Sequence, residues 1–287
     1  MRQFKVLIII VAYNAAKWLD RCVGGFAVMP SGWQVLVVDN NSKDNTVNIV
    51  KEKYPFVRLI EKKENLGFGR ANNIGMEIAL KENFDFAFLL NQDASISVDG
   101  IQKLAELQSD NAQYYIVSPL HYNGSGSSFD YNLSDYVNKN NSPILLDVGK
   151  NSYKNLYEIK GINAAAWLLS RKCLSEIGGF SPSFFHYGED DNYTDRILYH
   201  GGKIAMSPLA AVYHDREKRV RKNKNEIIIK RIYDMSRPEK KIKADAILKY
   251  IVACLLSFNF KALALLRKTL EYKKLSMKPG HTFLNID

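Results

Sequence analysis

Carboxylates and a histidine stand just after apolar runs at three places in this sequence. Asp39 follows the run at residues 34–38, and Asp93 follows the run at residues 86–90. His214 closes a third run. A carboxylate at the end of a buried strand costs free energy unless a ligand, a metal or a hydrogen-bond network satisfies it, and strand ends are where open α/β sheets bind ligands. These positions therefore indicate an enzyme that handles a charged, nucleotide-type substrate.

Asp93 and His214 carry side chains that bind divalent cations. Mg²⁺ and Mn²⁺ prefer oxygen donors, so Asp93 can ligate a cation that bridges two phosphates, and His214 can supply a further ligand. A histidine at the end of a strand also occurs as a structural residue whose hydrogen bonds are satisfied. The sequence leaves both alternatives open for His214.

Asp39 lies about where a dinucleotide-binding fold places its ribose-binding acid. However, the first apolar run ends in Val11-Ala12-Tyr13-Asn14, without the glycines that bring the backbone close to a pyrophosphate. The pattern therefore argues against a dehydrogenase. It predicts that Asp39 accepts hydrogen bonds from a base or a ribose. The alternative is that Asp39 caps a helix that starts near Ser42.

A segment rich in glycine and asparagine occupies residues 65–75. Its glycines permit a tight backbone turn, Arg70 can face a phosphate, and the helix that follows offers N–H groups to an anion. A plain helix start with polar caps would explain the same residues.

Three adjacent carboxylates, Glu189, Asp190 and Asp191, follow Gly188 at the start of a predicted helix. The helix dipole favours acids at this position, so a structural cap is one interpretation. Three acids exceed what a cap needs, however, and clustering can raise the pKa of one of them toward that of a general base. The cluster is therefore also a candidate for acid–base chemistry.

The elements that must position these residues alternate in the first half of the chain. Apolar runs without polar alternation are typical of strands buried on both faces of a parallel sheet, and the helical patterns between them predict a doubly wound α/β core. The predicted strands are residues 5–12, 34–38, 57–60 and 86–90, and the predicted helices are residues 15–26, 42–53 and 70–82.

The second half is less regular. Residues 121–157 are rich in Asn, Ser, Gly and Tyr, and predict a long loop or an irregular hairpin that could shape an acceptor site. The elements predicted after it are strands at residues 164–170 and 203–206 and helices at Arg171–Ile177 and residues 192–199. From Glu217 onward the pattern is helical, with an interruption around residues 257–260.

Charge divides the chain into a body, residues 1–215, and a basic extension, residues 216–287. The extension holds 19 Lys and Arg against 7 Asp and Glu, a net charge of +12, whereas the whole chain carries +10. Anionic lipid headgroups would attract it by roughly 1 kcal/mol per basic residue, and a solvated basic face is the alternative. No recognisable nucleic-acid-binding motif is present, so we expect no nucleic-acid partner.

Cysteine usage and hydropathy bear on location. The three cysteines are widely spaced and odd in number, which favours a reducing compartment and predicts a cytoplasmic protein. The longest uncharged stretch of the extension, residues 250–260, falls well short of the ~20 residues that a membrane span needs. Contact of the extension with the inner face of the cell membrane would therefore be peripheral.

The motifs also occur in a recognisable order. In sequence they are Val11-Ala12-Tyr13-Asn14, Val38-Asp39-Asn40-Asn41-Ser42, Asn65-Leu66-Gly67-Phe68 with Asn72, Asn91-Gln92-Asp93, Gly178-Gly179-Phe180, Glu189-Asp190 and Val212-Tyr213-His214. Over residues 4–215 the chain resembles the family 2 glycosyltransferases, which have the GT-A fold, and most closely their rhamnosyltransferase-like branch.

This resemblance implies a mostly parallel central sheet and an inverting transfer of a sugar from a UDP- or dTDP-sugar. The acceptor would be a hydroxyl of a saccharide or a lipid-linked glycan, in the synthesis of cell-surface polysaccharide or lipopolysaccharide. Asp190 would be the general base, since it matches the Glu-Asp pair of the family. Asp93 and His214 would contact Mg²⁺ or Mn²⁺.

The resemblance also assigns residues to the substrates. Those implied in nucleotide-sugar binding are Ala12, Tyr13, Asn14, Asp39, Asn65, Gly67, Arg70, Asn72, Asn91 and Gln92. Trp167, Tyr187 and Glu189 would contact the acceptor, with core packing as the alternative for Trp167.

One position departs from the family pattern. Asn91 replaces the first acid of the Asp-x-Asp motif, which keeps an oxygen that accepts hydrogen bonds but removes a charge. A sugar-nucleotide-binding protein with weak or no transfer activity is therefore the second hypothesis. A nucleotidyltransferase is the third, although the chain lacks the glycine-rich basic loop after strand 1 that a triphosphate needs.

Overall fold

The structure of the protein is a computed structural model. It describes residues 2–215, 226–242, 244–256, 260, 263, 266–280 and 282–285. The predicted helix onset at Glu217 and most of the predicted interruption at residues 257–260 lie outside these residues.

Nine strands form one sheet. They are β1 (Val6–Ala12), β2 (Gln34–Asp39), β3 (Val57–Glu61), β4 (Phe86–Asn91), β5 (Ala94–Ile96), β6 (Tyr114–Asn123), β7 (Tyr157–Ile159), β8 (Ala166–Ser170) and β9 (Lys203–His214). Their order is β3-β2-β1-β4-β8-β6-β9-β5, and β7 also pairs with β9. Six of the nine run in one direction, because only β8, β5 and β7 pair antiparallel with their neighbours. The predicted α/β fold with a mostly parallel sheet is confirmed.

Helices cover both faces of the sheet. The described helices are α1 (Leu19–Cys22), α2 (Thr46–Lys53), α3 (Phe68–Lys81), α4 (Val98–Asp110), α5 (Leu133–Lys139), α6 (Ile144–Gly149), α7 (Arg171–Ile177), α8 (Glu189–Tyr199), α9 (Glu226–Ser236), α10 (Ala244–Leu256) and α11 (Leu266–Ser276). Side chains on successive strand residues point to opposite faces. Leu7 and Ile9 of β1 therefore pack in one core, and Ile8 and Ile10 pack in the other.

Three predicted elements differ from the structure. The predicted helix at residues 15–26 is only α1 followed by a 3-10 turn, Gly24–Phe26, because two adjacent glycines weaken a helix. The strand predicted at residues 203–206 and the run that ends at His214 are one strand, β9, with an irregular register next to Pro208. The loop predicted at residues 121–157 contains α5 and α6, which form because Leu133, Val137 and Ile144 among their apolar side chains are buried.

The end of the chain packs against the body. Leu284 is buried in the core that contains Leu7 and Ile9. The amide of Gly179 donates to the carbonyl of Thr282 at 2.8 Å, and the Asn73 side chain donates to the carbonyl of Phe283 at 3.4 Å. The division at residue 215 stays a prediction, but the last described residues contribute to the core of the body.

None of the helices in the described part of the chain is both long enough and apolar enough to cross a membrane.

Candidate active site

The carboxyl ends of three neighbouring strands bring the first predicted residues together. In the parallel register, Ala12 of β1 lies opposite Asp39 of β2, and Val11 lies opposite Asn91 of β4. Asp39 and Asn91 therefore flank the end of β1. Each of the two has a buried side-chain oxygen, Oδ1, with no hydrogen-bond partner among the described residues.

Hydrogen bonds hold the loops after these strands to one another. The side-chain oxygen of Gln92 accepts from the amide of Tyr13 at 2.6 Å, and its nitrogen donates to the carbonyl of Tyr13 at 3.2 Å. The amide of Asn14 donates to Ser42 Oγ at 2.9 Å, and Asn14 Oδ1 accepts from the amide of Lys43 at 2.8 Å. The loops after β1, β2 and β4 thus form one rigid rim.

Asp39 has two different oxygens. Its Oδ2 accepts from the amide of Ser42 at 3.1 Å. This bond closes a turn and does not cap the predicted helix, because α2 begins at Thr46. The other oxygen, Oδ1, is buried without a partner among the described residues, and the residue is 3% exposed. Buried polar atoms in native proteins are almost always hydrogen-bonded, so Oδ1 is suited to accept a hydrogen bond from a ligand.

Asn40 organises the glycine-rich segment, although the sequence did not single it out. Its side-chain nitrogen donates to Asn65 Oδ1 at 2.9 Å, and its Oδ1 accepts from the amide of Leu66 at 2.8 Å. The amide of Gly67 also donates to Asn65 Oδ1, at 2.9 Å. Asn65 thus stabilises the turn through its hydrogen bonds to Asn40 and Gly67. The sequence signal that could have identified Asn40 was its position directly after Asp39.

The other two predicted residues of this segment lie on α3. Asn72 is buried and its side-chain nitrogen donates to the carbonyl of Phe68 on the preceding turn. Arg70 is exposed and forms no ion pair with another described residue. Arg70 is therefore available to an anion, and binding roles for both residues stay predictions.

Asp93 and His214 meet because β5 pairs antiparallel with β9. In that register Ala94 lies opposite His214, and the amide of Asp215 donates to the carbonyl of Asp93 at 2.7 Å. His214 Nε2 lies 3.1 Å from Asp93 Oδ1, and His214 Nδ1 lies 3.7 Å from Asp130 Oδ2. The histidine is 4% exposed. A carboxylate behind the second ring nitrogen is the arrangement that orients metal-binding histidines.

Asp130 was missed because it stands alone in a polar segment with no pattern around it. Among the described residues no group of three metal-binding side chains converges on one point. A cation at Asp93 and His214 would therefore have two protein ligands and would take further oxygens from a substrate. Mg²⁺ and Mn²⁺ are bound in this way beside phosphates, so the donor set fits either ion.

The acidic cluster begins α8, after two residues with left-handed backbones. Tyr187 has a φ of 70° and Gly188 a φ of 88°. Glu189 is 5% exposed with its Oε2 unpartnered, whereas Asp190 is half-buried. Burial, and then the charge of Asp190, raise the pKa of Glu189 to about 8. Glu189 therefore holds its proton at neutral pH, and Asp190 is the more accessible of these two carboxyl groups.

Close packing places the start of α8 at the same edge of the sheet as the loops after β1, β2 and β4. A Cβ atom on Gly69 would lie 3.7 Å from the Cβ atom of Glu189, so the first turns of α3 and α8 are in contact. A Cβ atom on Gly67 would lie 2.1 Å from the carbonyl oxygen of Phe185. Since Gly67 is tied through Asn65 to the loop after β2, the segment that leads to Asp190 rests on that loop.

The predicted acceptor residues are placed differently. Trp167 is 0% exposed and its ring stacks on Phe180 with centroids 6.1 Å apart, so the expectation that it stacks on an acceptor sugar is wrong. Strand β8 lies between two neighbours with its faces covered, which buries this ring. Glu189 is also buried, so it does not present its side chain to an acceptor from solvent. Tyr187 is 38% exposed, and Phe185 on the same segment is 62% exposed.

Glu189 predicts a specific pH dependence of stability. Because its pKa is raised from 4.5 to about 8 on folding, the folded protein keeps a proton that the unfolded chain releases between these values. The free energy of unfolding therefore falls as pH rises through this window. At pH values above 8, we expect Glu189→Gln to increase the free energy of unfolding by an amount on the order of a few kcal/mol. Below pH 4.5 the substitution should change the free energy of unfolding little.

Urea unfolding of both proteins at the two ends of the window measures this effect. Glu64→Gln is the control, since Glu64 is exposed and its replacement should leave the pH dependence intact. A Glu189→Gln variant that loses stability with pH as steeply as the parent would contradict the assignment.

Comparison with solved structures defines the class of the fold. The structure of Staphylococcus aureus TarS 1–349 matches with a TM-score of 0.58 at 15% identity, covering 95% of this chain and 78% of that one. GalNAc-T7 with UDP, GalNAc and Mn²⁺ matches with a TM-score of 0.57 at 16% identity, covering 96% of this chain and 58% of that one. These likenesses show the fold, which is the GT-A fold of nucleotide-sugar transferases.

Sequence comparison then gives the family. The family described as Glycosyl transferase family 2 matches residues 7–177, which is more than half of the chain. This protein belongs to glycosyltransferase family 2. It is also 24% identical over 236 residues to an N-acetylglucosaminyl-diphospho-decaprenol L-rhamnosyltransferase of Mycobacterium tuberculosis, covering 72% of this chain and 75% of the relative. The predicted family, its enzymatic class and the likeness to rhamnosyltransferases are confirmed.

Proposed function

We propose that this glycosyltransferase moves a sugar from a nucleotide diphosphate sugar to a hydroxyl group of a glycan or lipid-linked acceptor, with inversion at the anomeric carbon. The observation that carries the proposal is the convergence of unsatisfied and acidic groups at one edge of the sheet. Asp39 and Asn91 flank the end of β1 there, and Asp93 contacts His214 beside them.

The nucleotide occupies the rim formed by the loops after β1 and β2. Asp39 Oδ1 is buried and lacks a partner, so it accepts a hydrogen bond from a base N–H or a ribose hydroxyl. Ala12, Tyr13 and Asn14 frame the pocket, because their backbone is fixed by Gln92 and Ser42. This rigidity lowers the entropy lost when the nucleotide binds.

The diphosphate lies beside Asp93 and His214, which would hold Mg²⁺ or Mn²⁺. The cation, when bound, offsets the negative charge that grows on the departing nucleoside diphosphate. Asp130 lies behind His214 and positions its ring. Arg70 and the N-terminus of α3 offer further positive potential to a phosphate.

Asp190 accepts the proton of the acceptor hydroxyl. As that oxygen forms a bond to the anomeric carbon, the bond from this carbon to the diphosphate oxygen breaks on the opposite face, so the configuration inverts. Asp190 is half-buried at the start of α8, next to a neutral Glu189. Because Glu189 is neutral, it adds no negative charge beside Asp190.

The mycobacterial relative is a rhamnosyltransferase whose acceptor carries a decaprenyl diphosphate, which supports an acceptor of this kind here. Rhamnose is a deoxyhexose, so the relative also supports a deoxyhexose donor such as a dTDP-sugar. UDP-sugars are the alternative donors, since the GalNAc-T7 structure holds UDP with Mn²⁺ in the same fold.

A panel of UDP- and dTDP-sugars, each with and without Mn²⁺, tests the proposal. We expect one donor to raise the melting temperature through preferential binding to the folded state, and to release its nucleoside diphosphate when a polyprenyl-diphosphate acceptor is added. Stabilisation without turnover on any acceptor would favour a binding protein without transfer. Pyrophosphate release from a nucleoside triphosphate would favour a nucleotidyltransferase, and failure of every donor to stabilise the protein would overturn the proposal.

A further inference from the structure

Helix α10 is apolar on both of its faces. On one face Tyr250 is 0% and Cys254 1% exposed, and they pack with Ile228, Ile232 and Met235 of α9. The opposite face carries four large aliphatic side chains, with exposed fractions of 62%, 44%, 47% and 77% for Leu248, Val252, Leu255 and Leu256. We call these four residues the α10 stripe.

The spacing of the stripe makes it one continuous surface. Residues four and seven positions apart lie on the same side of a helix. A surface helix normally has a polar outer face, and a helix that is apolar all round is normally buried on every side. Exposure of this stripe to water is therefore unfavourable, at about 25 cal/mol for each Å² of apolar surface. An exposed apolar helix face of this kind is expected to bind another apolar surface.

Positive charge lies near the start of α10. A cavity of ≈ 420 Å³ between α9 and α10 is lined by three basic residues, Arg231, Lys240 and Lys241, and by two acids, Asp234 and Asp245. Asp245 pairs with Lys249 at 3.0 Å. Lys240 pairs with Asp234 at 2.8 Å, whereas Arg231 and Lys241 form no ion pair with another described residue. The extension as a whole carries a net charge of +12. Its electrostatic complement is an anionic surface.

We propose that the α10 stripe inserts into the surface of an anionic lipid bilayer, while Arg231 and Lys241 contact headgroup phosphates. Helix α10 has 13 residues, and a transmembrane helix needs about 20, so it lies in the plane of the interface. Net positive charge beside an apolar face favours a bilayer over a second copy of the chain, because two copies would bring like charges together.

The extension is also fixed to the helix that bears the proposed base. Tyr233 donates to Asp195 Oδ2 at 2.8 Å, and Arg237 pairs with the same carboxylate at 3.0 Å. The side chain of Asn192 donates to Ser236 Oγ at 3.1 Å. Docking of α10 would therefore hold α8, and Asp190 at its start, at a set height above the bilayer. This last step rests on the proposed function and implies that the acceptor is lipid-linked.

The full chain can be tested by sedimentation with vesicles of phosphatidylglycerol and phosphatidylcholine in equal amounts, and with vesicles of phosphatidylcholine alone. We expect binding to the anionic vesicles, and at least about tenfold weaker binding for the double variant Leu248→Gln, Leu255→Gln. Leu146→Gln on α6 is the matched control, since Leu146 is 68% exposed on the body and should not change binding. The double variant Arg231→Gln, Lys241→Gln should weaken binding to the anionic vesicles only, by about tenfold or more.

Several outcomes would overturn the proposal. They are failure of the full chain to bind the anionic vesicles, equal binding by the Leu248→Gln, Leu255→Gln variant, and a parent dimer that this variant converts to a monomer. Turnover of the nucleotide sugar with a water-soluble acceptor should be the same in parent and variant. If the parent protein binds vesicles but turns over no nucleotide sugar, the proposed function would be contradicted and the proposed membrane contact would still be supported.

Discussion

Replacing Asp190 by Asn should lower kcat by about 10²- to 10⁴-fold, the range that a positioned general base contributes. Asparagine has nearly the same shape as aspartate but cannot accept the proton of the acceptor hydroxyl. Donor affinity should stay within about threefold of the parent, because the proposed nucleotide site lies at the ends of β1 and β2 and does not include α8. Steady-state transfer rates and donor binding, measured on the same preparations, separate the two effects.

Asp191→Asn is the matched control for this prediction. Asp191 is the next residue of the same helix turn and is more exposed than Asp190, so its replacement removes one neighbouring charge but not the base. We expect a change in kcat of less than about tenfold for it. If Asp191→Asn abolished transfer and Asp190→Asn retained it, the base would be Asp191. If both variants transferred sugar at the rate of the parent, neither acid would act as the base.

Replacing Asp93 by Asn, and separately Asn91 by Asp, should move the affinity for Mn²⁺ in opposite directions. Asp93→Asn removes the charged oxygen ligand beside His214, and we expect a loss of affinity of more than about tenfold, with a matching loss of kcat/KM at limiting Mn²⁺. Asn91→Asp restores the first acid of the Asp-x-Asp motif. The Asn91 oxygen is buried at the strand end without a hydrogen-bond partner in the described part of the chain. A carboxylate at this position could ligate the cation, so the affinity for Mn²⁺ should rise.

Binding of Mn²⁺ in the presence of the nucleoside diphosphate measures this prediction, and the activity at a series of Mn²⁺ concentrations provides the second readout. Asp99→Asn serves as the control, since Asp99 is an exposed acid in a salt bridge with Lys103 on α4. Asp93→Asn with unchanged dependence on Mn²⁺ would remove Asp93 and His214 from the proposed cation site. Loss of folding in Asn91→Asp, seen as a lower melting temperature, would show instead that the buried carboxylate found no cation.

Much of the site follows from the first hundred residues read alone. The apolar runs that became β1, β2 and β4 predict parallel strands, and the carboxyl ends of such strands meet at one edge. The apolar runs alone therefore predict Asp39 and Asp93 at strand ends, whereas Asn91 and Gln92 were assigned to the substrate by the family resemblance. The structure places Asp39 and Asn91 on either side of the end of β1, and their binding roles stay predictions. The order of motifs along the chain was enough to predict the family.

The contacts within the site could not be predicted in the same way. The pairing of β5 with β9 brings His214 to Asp93, and an isolated aspartate from a polar segment, Asp130, completes the group. Trp167 was expected to contact the acceptor, with core packing as the alternative. Its ring is buried in the core, so the alternative is the one that the structure shows. Local spacing contains no information on which distant side chain covers a given face.

The sequence by itself thus determined the class of fold and the family, and it predicted the edge of the sheet at which we propose the chemistry, because hydrophobic periodicity and strand-end acids are local properties. Tertiary structure alone decided which carboxylate stands behind His214, which aromatic rings are exposed, that Leu284 returns to the core, and that the outer face of α10 is left uncovered. These features depend on packing between segments far apart in the chain, and the free energy of such packing is set by the partner as much as by the residue.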